Sequence, residues 1–335
     1  MSWKVLITAR TLDEVGHAAV DLMKASGLEL IFPPRYGPLT AEVLQPQLEG
    51  MDAVLASMDH FTAEVLSSPA ASGLKLISRW GVGYDAIDVP AATRLGVVVA
   101  YTPGLLNDAV ADYTFALLLA VSRRVHEAHG DMRAGAWKSL FGHDVGGKSL
   151  GLIGCGRIGQ AVARRASGFG MKVLAYDVAP SEQAQALGVE FVSLERLLEE
   201  SDFVSLHAAL TPDNHGLIDA KALGRMKPTA HLINTARGAL VDEAALLDAL
   251  QAGRIAGAAL DAYAVEPLPK EHPLRSAPRV LLSPHHASFG RDTGERVSMA
   301  AAQAVVDLSR GLRPAMVVNP EVFDRPALRA PMKAP

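Results

Sequence analysis

Residues 149–170 read "SLGLIGCGRIGQAVARRASGFG", an apolar run that passes through three glycines into a segment of helical character. Gly154, Gly156 and Gly159 stand in G-x-G-x-x-G spacing. Each has a mechanical task in such a turn. The first permits the tight reversal, the second lets the backbone approach a pyrophosphate, and the third allows close packing of helix on strand. The helix N-terminus that follows favours negative charge. After the next apolar run, "KVLAY", comes Asp177, 23 residues beyond Gly154 and placed to take ribose hydroxyls. A glycine triplet alone fits many ordinary turns. Strand, glycines, helix, strand and acid in that order point to a dinucleotide-binding unit. The Asp177 carboxylate would repel a 2′-phosphate, and "YDVAPS" offers no basic residue beside it, so NAD is expected over NADP. Cys155, at an x position, reads as a small residue tolerated there.

The same alternation extends in both directions. "KVLITA", "LELIF", "DAVLAS", "LKLIS" and "GVVVAY" form a first series of strand candidates, and "SLGLIG", "KVLAYD", "DFVSLH", "AHLINT", "AGAALDAY" and "RVLLSPH" a second. Helical patterns such as "DEAALLDALQAGR" separate them, which argues for parallel βαβ units. The expected fold class is therefore α/β, with two doubly wound parallel-sheet domains. "TPGLLNDAVADYTFALLLAVSRRV" lies between the series and reads as a buried or subunit-packed helix. The Pro-rich tail "RPALRAPMKAP" is expected to be loosely ordered.

Composition sets the surroundings. With 335 residues, 49% of them hydrophobic and 20% charged, the chain is long enough for two domains with cores of their own. The net charge of −4 and the lack of any long Lys/Arg run argue against a nucleic-acid partner. No apolar stretch approaches the roughly 18 residues of a membrane span, and the N-terminus carries no signal-peptide pattern. One cysteine forms no internal disulfide, which fits a cytoplasmic location.

In an open parallel sheet, ligands bind beyond the carboxyl ends of the strands. Those ends here carry Gly154, Asp177, His207, Arg237, Asp261 and His285, so these residues should line one edge. In "VLLSPHHASFG" the adjacent His285 and His286 make a poor metal site, and no metal is expected. A carboxylate on an imidazole fixes its tautomer and supports its charged form, and Glu266 in "LDAYAVEPLP" is the candidate for that task. Singly, His285 reads as a structural histidine, Arg237 as a surface ion pair and Glu266 as a loop acid. Their order beside a dinucleotide motif favours chemistry. His207 reads as ending a strand near the cofactor, and His286 as a pocket neighbour or an exposed side chain.

"GLIGCGRIGQAVA", "NTARGALVDEAAL", "ALDAYAVEP" and "LLSPHHAS" together resemble the D-isomer-specific 2-hydroxyacid dehydrogenases, particularly the D-3-phosphoglycerate dehydrogenase-like branch. Upstream, "ISRWGVGYDAIDVPAATRLGVVVAYTPG" resembles the family's substrate loop and the strand before its interdomain crossover. The resemblance implies a discontinuous, flavodoxin-like substrate domain (1–100 and 288–335) around a Rossmann NAD-binding domain (101–287). It also implies a homodimer formed through a helix at about 106–126. Carried onto matching positions, it makes His285 the acid/base, Glu266 its partner and Arg237 the cation that holds the substrate carboxylate. Backbone donors at Val82 and Gly83 give a second grip, and Arg79 is a weak candidate for a distal anion that reads equally well as structural. Arg157 and Ile158 cover the pyrophosphate, Asp261 meets the nicotinamide amide, and His207, Thr235 and Ala236 complete the NAD site.

Departures are visible too. Ala209 and His215 stand where proline and threonine are usual, and Ala56 lies where the phosphoglycerate-type pattern has an arginine. The implied substrate is thus a small 2-hydroxy or 2-keto acid, with glyoxylate or hydroxypyruvate favoured over a phosphorylated acid. Two alternatives stay open: a phosphite dehydrogenase-like enzyme on the same scaffold, and an NAD(H)-sensing, corepressor-like interaction protein.

Overall fold

The computed structural model describes residues 2–333. The chain forms two compact units, one holding the residues up to Leu106 and those from Gly290 onward, the other running Asn107–Phe289. Both breaks fall a few residues beyond the boundaries read from the sequence.

The first unit carries β1 (Lys4–Ile7), β2 (Glu29–Ile31), β3 (Ala53–Ala56), β4 (Leu76–Arg79) and β5 (Val98–Ala100). They form a five-stranded parallel sheet in the order β2-β1-β3-β4-β5, the flavodoxin-like winding. β3, β4 and β5 are buried along their whole length, because helices cover both faces and leave no solvent side on which polar residues would alternate. One face packs Leu6, Val54, Ile77 and Val99 against Leu44, Leu48, Val65 and Leu66. The other meets the helix Arg291–Ser309, fixed by Ser78 Oγ on Ala301 O at 2.8 Å and Trp80 Nε1 on Ser298 Oγ at 2.9 Å. These contacts make the unit discontinuous in sequence.

The second unit carries β6 (Ser149–Ile153), β7 (Lys172–Tyr176), β8 (Glu190–Phe191), β9 (Phe203–Leu206), β10 (His231–Asn234), β11 (Gly257–Leu260) and β12 (Val280–Leu282). The order β12-β11-β10-β9-β6-β7-β8, all parallel, is the doubly wound dinucleotide-binding arrangement with one added strand. Residues alternate between two cores. Ile233 and Ala259 face the helices Asn107–Ser122 and Arg157–Gly168, while Leu232, Ala258 and Leu260 face Leu197, Leu223 and Leu246.

Three features differ from the sequence reading. β8 was not anticipated, because two edge residues are too few to show a period. The helix after the crossover ends at Ser122 rather than near 126, since Arg124 turns left-handed (φ 54°) and a second helix, Val125–Arg133, starts there. The tail expected to be loose is docked over its described residues. Arg329 Nη1 donates to Ala71 O at 2.6 Å, Arg329 N to Gly96 O at 3.0 Å and Lys333 N to Gly311 O at 3.0 Å. Residues 334–335 lie outside the described residues.

Candidate active site

The glycine loop follows β6. Gly154 has φ 89°, and a Cβ there would stand 2.5 Å from Ala208 N, so conformation and space both require glycine. A Cβ on Gly159 would reach Gly154 O at 2.5 Å, which explains why the helix can lie so close to the strand. Around Gly156 nothing stands within 4 Å of a built Cβ, leaving room for a ligand. Gly156 is the N-cap of the 12-residue helix Arg157–Gly168 and gives it no side-chain cap, so the first-turn N–H groups, including those of Arg157 and Ile158, are open to an anion.

At the end of β7 the Asp177 carboxylate accepts Cys155 N at 2.6 Å and Ala179 N at 2.9 Å, which fixes it beside the loop with lone pairs to spare. Burial, and then Asp177, push the Cys155 thiol up to about 11, so it carries no thiolate at neutral pH. These observations fit NAD: N–H donors for a pyrophosphate, and an oriented acid for ribose hydroxyls.

The ends of β10, β11 and β12 build the second half. Asn234, fully buried, accepts Ala236 N at 3.0 Å and donates to Arg237 O at 2.9 Å, shaping the turn that presents Thr235, Ala236 and Arg237. Arg237 Nη1 donates to Ala236 O at 2.8 Å. A Cβ on Gly238 would fall 1.8 Å from Tyr263 C, so the Arg237 turn lies directly on the Tyr263–Ala264 backbone. That approach sets Arg237 next to the segment carrying Glu266. Thr235 Oγ1 also meets Thr114 Oγ1 at 3.0 Å.

Glu266 Oε2 lies 2.8 Å from His285 Nδ1, and its Oε1 accepts Tyr263 N at 2.9 Å. The Tyr263 hydroxyl donates to Leu260 O (3.0 Å) and Ser283 O (2.9 Å), tying the end of β11 to the end of β12. His285 sits at φ 53°, a conformation that costs a non-glycine residue about 1–3 kcal/mol and needs support from its surroundings. Asp261 supplies that support. Only 1% exposed, it accepts Ser283 Oγ (2.5 Å), His286 N (2.8 and 2.9 Å) and Ala287 N (2.8 Å), clamping the turn on both sides of His285. In this structure Asp261 is thus engaged with the loop, and neither Tyr263 nor this clamp was legible from sequence.

The Glu266 pair is made by His285, not by His286. His286 is exposed, with its ring stacked on Phe289 (centroids 5.0 Å apart) and 5.9 Å from Tyr113. His207 Nε2 meets Ser205 Oγ at 2.9 Å, while its Nδ1 is shut off from solvent without a partner. Desolvation pushes that imidazole down to about 3, so it is neutral and unsuited to taking a proton.

Val82 and Gly83 lie in the other unit, on the loop after β4. Gly81 N donates to Thr102 Oγ1 at 3.0 Å, and Arg79 Nε to Gly83 O at 2.8 Å. Arg79 is 9% exposed, and a Cβ on Gly81 would touch its guanidinium at 3.0 Å, so it buttresses the loop from within. That geometry favours its structural reading. Among the described residues, no group of three or more His, Cys, Asp or Glu is arranged to hold a metal ion, and no helix is long and apolar enough to cross a membrane.

Comparison with known proteins follows the same lines. The model of the D-isomer specific 2-hydroxyacid dehydrogenase NAD binding domain matches residues 115–287. A glyoxylate reductase of Korarchaeum cryptofilum is 45% identical over 293 residues, 85% of this chain and 88% of that protein. One from Thermococcus litoralis is 41% identical over 334 residues, 96% and 98% of the two chains. Among solved structures, a D-lactate dehydrogenase from Aquifex aeolicus, complexed with NAD and lactic acid, superimposes with a TM-score of 0.79 at 28% identity, covering 92% of this chain and 96% of that one.

Proposed function

The chain belongs to the D-isomer-specific 2-hydroxyacid dehydrogenase family and is an NAD-dependent oxidoreductase. From that premise we propose that it reduces a small unphosphorylated 2-keto acid of the glyoxylate or hydroxypyruvate type, with His285 as acid/base, Glu266 as its partner and Arg237 as the carboxylate anchor. The observation that carries this reading is the 2.8 Å pair of His285 Nδ1 and Glu266 Oε2 beside the Arg237 turn.

The Gly154–Gly159 loop and Asp177 would hold NAD(H), which when bound would supply the hydride exchanged at C2. With Nδ1 facing Glu266, His285 Nε2 is the atom that gives a proton to the carbonyl oxygen in reduction and takes it back in oxidation. Glu266 stabilises the imidazolium and fixes its ring, and is itself fixed by Tyr263 N. Arg237 offers a planar fork suited to a carboxylate and a neighbouring carbonyl oxygen. Asp261 orients the His285 turn and is assigned to the nicotinamide amide. Thr235, Ala236 and His207 line the cofactor edge, and His286 shapes substrate preference.

Ala56 offers no cation in β3, and Arg79 is committed to Gly83, so nothing among these positions favours a phosphorylated acid. The names of the relatives lean the same way. A homodimer formed through the cofactor unit is part of this reading. Trp137 (89%) and Phe141 (95%) stand out as large apolar side chains left exposed after the helix Val125–Arg133, as an interface would require. The buried thiol of Cys155 suits a reducing, cytoplasmic setting.

A panel of 2-keto acids assayed by NADH oxidation tests the proposal. Turnover should be best with glyoxylate or hydroxypyruvate and poor with 3-phosphohydroxypyruvate. Tight NADH binding without turnover of any acid would favour the sensing alternative instead.

A further inference from the structure

The strands that deliver Arg237 and His285 also have amino ends, and on that opposite edge of the seven-stranded sheet lies a cavity of about 290 Å³. Its lining includes His231 at the start of β10, Arg279 just before β12, Arg124 and Glu127 beyond the helix Asn107–Ser122, His143, and Phe141, which the proposed homodimer would cover. The proposed dehydrogenase chemistry uses none of them.

Two independent observations mark this cavity. Among the described residues, the non-glycine residues with positive φ are His285 (53°), Arg124 (54°) and Arg279 (57°), so both outliers away from the dyad line this one cavity. Strained backbone of that kind clusters at functional sites. Secondly, His231 Nδ1 and Arg279 Nε are buried without a hydrogen-bond partner. His231 is 3% exposed, its ring stacked on Phe203 and edge-on to His143, each with centroids 5.5 Å away. Burial, and then His143, push it down to about 4, so it is neutral and able to hold its proton on Nδ1.

The charges select the ligand. Arg124 Nε and Nη2 grip Glu127 Oε1 and Oε2 at 2.9 and 2.6 Å, which neutralises the acid and leaves the guanidinium further N–H donors. Arg279 donates through Nη2 to Leu250 O, and its charge has no acidic side chain bonded to it among the described contacts. With the His231 imidazole neutral, the two guanidiniums and the Glu127 carboxylate carry one positive charge in excess.

We propose that the cavity is a binding site for a small oxyanion, an inorganic phosphate or a short-chain carboxylate. Arg279 Nε and His231 Nδ1 donate from the inside, and Arg124 from the rim. The volume lies at the low end of ligand sites and has room for such an anion together with its waters.

The test is calorimetric titration of inorganic phosphate into the protein saturated with NADH, so that the nucleotide loop is already filled. Two variants accompany the parent. His143→Glu puts a negative charge at an exposed position whose backbone bonds to Ser122 do not depend on the side chain. Arg124→Gln removes a donor and releases the Glu127 carboxylate. The parent should show saturable binding, and both variants a loss of about tenfold or more in phosphate affinity, with NADH affinity unchanged. No saturable binding in the parent, or the same affinity in both variants, would overturn the site.

Discussion

The two edges of the seven-stranded sheet handle polar groups differently, although each leaves one buried imidazole Nδ1, His207 or His231, without a partner. At the carboxyl edge, Asp261 takes four hydrogen bonds, Glu266 is held from both oxygens and Tyr263 ties two strand ends together. At the amino edge, His231 and Arg279 each leave a buried polar atom unpartnered. The same strands run between them, so strand identity does not explain the contrast. On the proposed reading, the carboxyl edge must hold one strained histidine in one geometry for proton transfer, and several interlocking bonds hold that geometry. The amino edge has donors ready and no protein acceptor for them, which is the condition of a site awaiting a ligand.

Substitutions at the carboxyl edge should have the larger effects. His285→Asn should lower kcat by about two to four orders of magnitude, the scale of general acid–base catalysis, with NADH affinity retained. His286→Ala, measured alongside, should change mainly KM or substrate preference. Equally severe losses of turnover at both positions would break the distinction between the two histidines. Glu266→Gln should come next. Without the carboxylate that meets His285 Nδ1 at 2.8 Å the ring loses its oriented partner, so the rate of reduction should fall with NADH affinity retained. A rate equal to the parent's would remove Glu266 from the chemistry.

The glycine-loop side gives a smaller effect. Losing hydrogen bonds to a charged group costs about 1.5 to 3 kcal/mol, or roughly ten- to a hundred-fold in affinity. Asp177→Ala should weaken NADH binding by that amount and improve NADPH binding modestly. Val178, 93% exposed beside it, is where an added arginine should reverse the preference. Unchanged NADH affinity in Asp177→Ala would mean that the carboxylate does not meet the ribose.

The smallest effect belongs to the amino edge and is read as stability. His231 is held at about 4 when folded, against about 6.5 when unfolded. Between those values the unfolded chain binds more protons, so stability is full above the unfolded value and is lost as pH falls towards 4. By pH 6 the loss should be about 1 kcal/mol, and His231→Phe should reduce that slope in denaturant unfolding series. Parallel slopes for parent and variant would show that this imidazole is not the titrating group.

Much of this contrast was not written in local sequence. Strands β1, β3 and β6 announce themselves as continuous apolar runs, and the Gly154 turn as spacing, because burial and tight turns act on consecutive residues. The carboxyl-edge candidates followed from knowing where strands end. What escaped depends on single contacts between distant residues. Gly238 is required by the Tyr263 backbone, the docked tail is held by Arg329 on Ala71 and Leu74, and the left-handed turns at Arg124 and Arg279 leave no composition signal. His231 reads as part of a strand in "AHLINT", and only burial beside Phe203 and His143 gives it a distinct character.

The most direct test follows the hydride itself. The protein is mixed in a single turnover with glyoxylate and NADH deuterated on both C4 hydrogens, and the product is examined by mass spectrometry. The expected result is glycolate with one deuterium at C2, formed as the NADH absorbance falls, with one proton taken up per turnover. NADH that binds but keeps its absorbance and its deuterium, with glyoxylate and with hydroxypyruvate alike, would contradict the proposed reduction at this edge.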